Sequence, residues 1–177
     1  MKIYKFIKLI IFIIFSILIV VFRNEAVDNL HYFVASLILA FGIENVIVSL
    51  IVLKKECLKE VEFTFSFFEI ILGLTLMTAI RNFSYVCVIW AVWSILRQSI
   101  DIYLACSGKV KGVVAIVYFI QSVVTIVFSI MLMLEPIEHH AMTHMYLVII
   151  ELLVISLPPV IDDLLSIYQT KKKDKIS

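Results

Sequence analysis

Apolar residues fill nearly every stretch of the chain, and short polar clusters break them into segments. A membrane-crossing helix needs about 20 mostly apolar residues to traverse roughly 30 Å of hydrocarbon. Six segments approach or meet that length, at 5–22, 30–53, 63–80, 83–106, 111–134 and 144–168. The intervals between them, Arg23 to Asn29, Lys54 to Glu62, Arg81-Asn82, Ser107 to Lys111 and Glu135 to Thr143, are short enough to join adjacent antiparallel helices. The pattern predicts an all-α polytopic membrane protein of six transmembrane helices arranged as three helical hairpins. One domain fills residues 1–170, and 171–177 form a basic cytoplasmic tail.

Composition points to lipid as the solvent. Hydrophobic residues make up 63% of the 177 and charged residues 16%, against about half and a quarter in soluble domains. No sizeable second domain fits in the remainder. Of three cysteines, Cys57 falls in a charged loop while Cys87 and Cys106 share one apolar segment, so no disulfide framework is expected. Lys2, Lys5 and Lys8 before the run Leu9 to Phe22 give the start the look of a signal peptide. That run ends in Val20-Val21-Phe22-Arg23 without the small-residue pair that cleavage needs, which predicts a retained helix.

The net charge of +1 conceals a strong asymmetry. Twelve basic residues sit at the N-terminus, in the second and fourth loops (Lys54, Lys55, Lys59, Lys109, Lys111) and in the tail from Lys171 to Lys175. Only Arg23 and Arg81 occupy the other face, and Arg97 lies inside the fourth segment. Positive loops stay on the cytoplasmic side, so both termini are predicted cytoplasmic. The tail lysines would add about 1 kcal/mol each to anionic-lipid attraction, with topology as their ordinary role. No basic face suited to nucleic acid is visible. The pairs Ile43-Glu44, Ile100-Asp101 and Ile161-Asp162 each precede a lysine by a similar interval, reading either as a triplicated hairpin or as coincidence.

Local features carry a family likeness: Phe41-Gly42-Ile43 through Leu53 in the second segment, Trp93-Ser94-Ile95-Leu96 through Ala105 in the fourth, and Leu134-Glu135-Pro136 closing the fifth. With the six-helix layout, the chain resembles the HdeD-like family of small bacterial acid-resistance membrane proteins. The resemblance implies a multi-pass plasma-membrane protein serving acid or stress tolerance. It brings no catalytic motif.

Six carboxylates, Glu44, Glu69, Asp101, Glu151, Asp162 and Asp163, fall within the predicted helices beside the single cation Arg97. An acid near the bilayer centre costs about 2.5–3.5 kcal/mol on insertion scales, so such groups face the bundle interior, pair or stay protonated. Arg97 and Asp101 stand one helical turn apart and are expected to neutralise each other, with Glu44 or Glu69 as further partners. The cluster Glu44, Glu69, Arg97, Asp101, Glu151 and Asp162 reads either as a proton or cation path along the bundle axis or as structural hydrogen-bonders.

His139, His140 and His144 gather in the fifth loop and the start of the sixth segment. They form a candidate pH sensor on the outer face, since histidine is the side chain that ordinarily titrates nearest neutrality. A solvated loop is the plainer reading, and no complete metal-ligand set is present. Pro158-Pro159 predicts a kink near the membrane edge, with Asp162 and Asp163 in the first turn beyond it. Trp90, Trp93 and the phenylalanines from Phe63 to Phe68 read as packing or lipid contact.

Phosphate-cradling glycine loops, GxSxG elbows, HExxH and paired CxxC are all missing, so no enzyme and no cofactor is expected. The expected partners are the bilayer and either a second copy or another membrane protein. Two functions follow: a non-enzymatic acid- or stress-tolerance protein, or a small transporter or substrate-binding subunit resembling the vitamin-binding components of energy-coupling transporters. A polar cavity ringed by Glu44, Glu69 and Glu151 would mark the second.

Overall fold

The computed structural model describes residues 3–50, 61–108 and 112–154. The expectations for Lys2, for Lys54, Lys55, Cys57 and Lys59, for Lys109 and Lys111, for the Pro158-Pro159 kink, for Asp162 and Asp163, and for the lysine tail lie outside the described residues.

The described chain is helical, with no strand. In order it forms α1 (Ile3–Val21), α2 (Arg23–Asp28), α3 (Leu30–Val48), α4 (Val61–Ala79), α5 (Phe83–Cys106) and α6 (Val113–Leu134), then α7 over 138–154. Among the described residues, three spans are long and apolar enough to cross a membrane: Leu30–Val48, Phe83–Tyr103 and Val114–Leu134. Phe12–Val21 and Phe63–Ala79 are shorter apolar helices.

Two boundaries differ from the sequence pattern. The first predicted loop is the six-residue helix α2, set off from α1 and α3 by single off-helix residues, Phe22 and Asn29. Helical bonds run through the break, from Phe22 N–H to Leu18 carbonyl at 2.9 Å and from Ala26 N–H to Phe22 carbonyl at 2.8 Å. Val27 is buried while Arg23, Asn24, Glu25 and Asp28 face outward, so the crossover lies with its polar side exposed. The last helix begins at 138 rather than 144. Pro136 has no N–H to satisfy, the Ile137 carbonyl accepts from Ala141 N–H at 3.1 Å, and Glu138 places a negative charge where the helix dipole favours it. His139 and His140 therefore belong to a first helical turn and not to a loop.

Helix ends follow local chemistry elsewhere too. The Asn82 side chain caps α5 by accepting from Tyr85 N–H at 3.2 Å. Gly108 (φ +75°), just past the end of α5, and Gly112 (φ +66°), at the N-cap of α6, both have positive φ, which glycine adopts without a Cβ clash.

Three successive hairpins would pair α1 with α3, α4 with α5, and α6 with α7. Among α1 to α6 the extensive contacts join α3 to α4 and α5 to α6 instead. Small residues explain both pairings, because they let helix backbones approach closely. A Cβ added at Gly42 would stand 2.9 Å from the Ser66 carbonyl oxygen, and one at Gly73 only 2.5 Å from Leu39 Cγ. On α6 the buried positions are Ser122, Thr125, Ser129 and Leu132, mostly small hydroxyls at helical spacing.

The molecule is polar inside and greasy outside. Ile71, Ile116 and Leu134 are 66%, 60% and 72% exposed, while Glu69, Glu151 and Arg97 are 0%, 3% and 5% exposed. A protein solvated by water could not hold that arrangement, whereas hydrocarbon favours it. The apolar part of the interior, including Phe12, Ile38, Phe41, Leu76, Trp90, Leu132 and Met145, forms one continuous cluster.

Candidate functional site

α5 organises the site. Its buried positions Val86, Cys87, Trp90, Ala91, Trp93, Ser94, Arg97, Gln98 and Asp101 recur every three or four residues, so all line one face. That face is apolar down to Ala91 and turns polar from Ser94 onward. α4 presents Phe63, Ser66, Glu69, Gly73 and Leu76 on its buried side, which aims the Glu69 carboxylate inward. α3 contributes Asn45 and the half-buried Glu44, and α7 buries His144 and Glu151 along the stripe of Ala141, Met145, Val148 and Leu152.

Glu69 is the best-defined acid. The Trp93 indole N–H donates to its Oε1 at 3.1 Å, and Arg97 Nη1 stands 3.8 Å from the same oxygen. The second distance is an ionic contact rather than a hydrogen bond. Asn45 and Glu44 lie beside this carboxylate on the α3 side. Gly42 abuts its Cβ, so the close approach of α3 and α4 also packs the base of the acid. The Arg97 guanidinium carbon lies 5.4 Å from the Phe41 ring centroid, within range for a cation–π contact.

Glu151 approaches from α7. Its electrostatic neighbours are Asp101, Arg97 and Glu69, and the Gln98 amide lies beside it. The structure thus brings Glu69, Arg97, Asp101 and Glu151 together, with Glu44 at the α3 edge. Glu69 Oε2, Glu151 Oε1 and both polar atoms of Gln98 are buried without a hydrogen-bond partner among the described residues. Such groups are costly unless something satisfies them.

The three histidines part company. His144 is fully buried, its Nε2 is 2.9 Å from Ser94 Oγ, and its ring meets Trp90 edge to face at 4.7 Å. Its Nδ1 has no partner among the described residues. His139 is exposed at the start of α7. His140 is half-buried, and its Nδ1 donates to the Glu135 carbonyl at 2.9 Å. Among the described residues no three His, Cys, Asp or Glu side chains are grouped to hold a metal ion.

Sequence reasoning named the charged members of the cluster and missed Asn45, Ser94 and Gln98. The available signal was spacing: Ser94, Arg97, Gln98 and Asp101 share a helix face with Trp90 and Trp93. The grooves on the outer surface are a different matter. One, between α6 and α7, is lined by Val117, Ile120, Gln121, Val124, Leu147 and Ile150, and its walls are almost wholly apolar. No protein-family model, no curated protein and no solved structure matches this chain.

Proposed function

We propose that the chain is a non-enzymatic, six-helix protein of the bacterial plasma membrane, with both termini cytoplasmic, that carries a proton path along its bundle axis. The six crossings are α1, α3, α4, α5, α6 and α7, with α2 as an interfacial crossover. The observation that carries the reading is the burial together of Glu69, Asp101 and Glu151 around one guanidinium, Arg97. Among the described residues Glu69 Oε2 and Glu151 Oε1 are buried with no hydrogen-bond partner, and a carboxylate in a low-dielectric interior is stabilised by a proton or a bound cation. A proton needs only a single acceptor oxygen, which one buried carboxylate supplies.

The test is proton entry into proteoliposomes carrying the purified protein, driven by a potassium diffusion potential and read with an internal pH-sensitive dye. The wild type should acidify the lumen faster than protein-free vesicles, and Glu151→Gln should slow entry by about a hundredfold or more, the lower end of what a proton-transfer group contributes. Wild-type vesicles no faster than empty ones would sink the reading.

The HdeD-like resemblance supplies a second, physiological reading, acid tolerance. The observation favouring it is that His139 is exposed and His140 half-exposed at the end of α7 that the topology turns outward. Survival of a deletion strain at low external pH, unchanged from its parent, would remove it.

A further inference from the structure

We infer that the buried Ser94–His144 pair is the outer relay of the proton path, passing protons between the His140 end of α7 and the acids around Arg97. The inference rests on the proton-path reading above and deepens it by assigning the entry route.

Register comes first. Ser94 and His144 are fifty residues apart and in contact, and Asp101 and Glu151, neighbours in the charged cluster, have the same separation. A constant offset means that α5 and α7 run parallel, with matching residues at matching depth. Each helix then contributes a column of polar groups. On α5 these are Ser94, Gln98 and Asp101; on α7 they are His140, His144 and Glu151. All recur at three or four residues or their sum, so each set stays on one face. From His144 to Glu151 is seven residues, about 10 Å along the axis at 1.5 Å per residue.

The ring itself has the features of a relay. It is buried, one nitrogen is engaged by the Ser94 hydroxyl, and the other has no partner among the described residues. A histidine serving packing alone has no need of a bare nitrogen in an apolar wall. In the tautomer with Nε2–H donating to Ser94 Oγ, Nδ1 is an open acceptor. A proton arriving from the outer side binds Nδ1 and the Nε2 proton passes to Ser94 Oγ. The hydroxyl's original proton leaves toward Gln98 and Glu151, carried across the intervening turn by water. One proton enters and one leaves, and passage of the Nδ1 proton to Nε2 through water restores the tautomer. His140 sits one turn nearer the outside, and its Nδ1–H is held by the Glu135 carbonyl, which leaves Nε2 of the neutral ring as an acceptor at the mouth.

Among the described residues Trp90 and Ser94, both uncharged, meet the His144 ring. The charged groups further along the columns are Arg97 and Asp101 on α5 and Glu151 on α7, with Glu69 facing them from α4.

The experiment is the proteoliposome assay with His144→Gln, Ser94→Ala, Ser94→Thr and Glu151→Gln, each checked for thermal stability in detergent. His144→Gln and Ser94→Ala should each slow proton entry by about a hundredfold, and Ser94→Thr, which keeps the hydroxyl, should retain most of the rate. The dependence of rate on external pH should flatten in His144→Gln. Entry slowed by Glu151→Gln but untouched by His144→Gln would overturn the relay and leave the path standing. No entry in the wild type would overturn both. If His144→Gln fails to fold, the serine pair decides: equal rates for Ser94→Ala and Ser94→Thr would show that the hydroxyl carries nothing.

Discussion

Arg97 is held by neighbours from several helices: the Glu69 carboxylate of α4 at 3.8 Å, the Phe41 ring of α3 at 5.4 Å, and the electrostatic reach of Glu151 from α7. The Glu69 oxygen that faces it is itself fixed by the Trp93 indole. Removing one member of a buried pair leaves an uncompensated charge, which costs about 3–5 kcal/mol. Arg97→Met should therefore lower stability by that order, and adding Glu69→Gln should recover part of the loss. Thermal unfolding in detergent of the two single variants and the double measures the coupling, expected at about 0.5–3 kcal/mol. Strictly additive effects would show that Glu69 is not the partner that matters. The charged residues were legible in the sequence because a charge inside an apolar run is conspicuous. Asn45, Ser94 and Gln98 were not, since uncharged polar side chains barely disturb the apolar pattern and only their helical spacing betrays them. His144 opens the predicted sixth segment and by sequence reads with His139 and His140 as an outer-face group; its inward face follows once the helix begins at 138 and sets it on the buried stripe with Ala141, Met145 and Val148.

At the scale of elements, the long apolar helices could be read from hydrophobic length, while their partners could not. Hydropathy carries no record of which helix a glycine faces. Gly73 meets the Leu39 side chain so closely that an added methyl has no room unless Leu39 yields. Gly73→Ala should cost about 1–3 kcal/mol through overpacking. Leu39→Ala placed beside it vacates the contested space, and the double variant should melt higher than Gly73→Ala alone. A double variant that melts lower would mean that α3 and α4 are not closely packed at this point. Gly42 offers no such remedy, because its obstacle is the Ser66 backbone carbonyl.

For the whole molecule, the twelve-to-two division of basic residues between the two faces is the basis of the proposed topology. A cysteine introduced at Asn82 or Glu138, both exposed at helix ends, should react with a membrane-impermeant thiol reagent added to intact cells, and one at Lys55 or Lys173 should react only after permeabilisation. The opposite pattern would invert the protein in the bilayer. The cluster around Arg97 also has a bearing on how the chain is made. Synthesis delivers Glu69 before Arg97, so the cation enters a membrane that already contains its counter-ion, and the Trp93 bond to that acid closes at the same time. Glu151 arrives only with the final described helix, after the positive charge has been committed. The docking of α7 thus adds an acid to the described cluster, in which Glu69 and Asp101 already lie near one cation, Arg97. Before α7 docks, the polar face of α5 has neither His144 nor Glu151 against it, the stage at which a membrane chaperone or quality-control protease would find these helices easiest to recognise as unfinished.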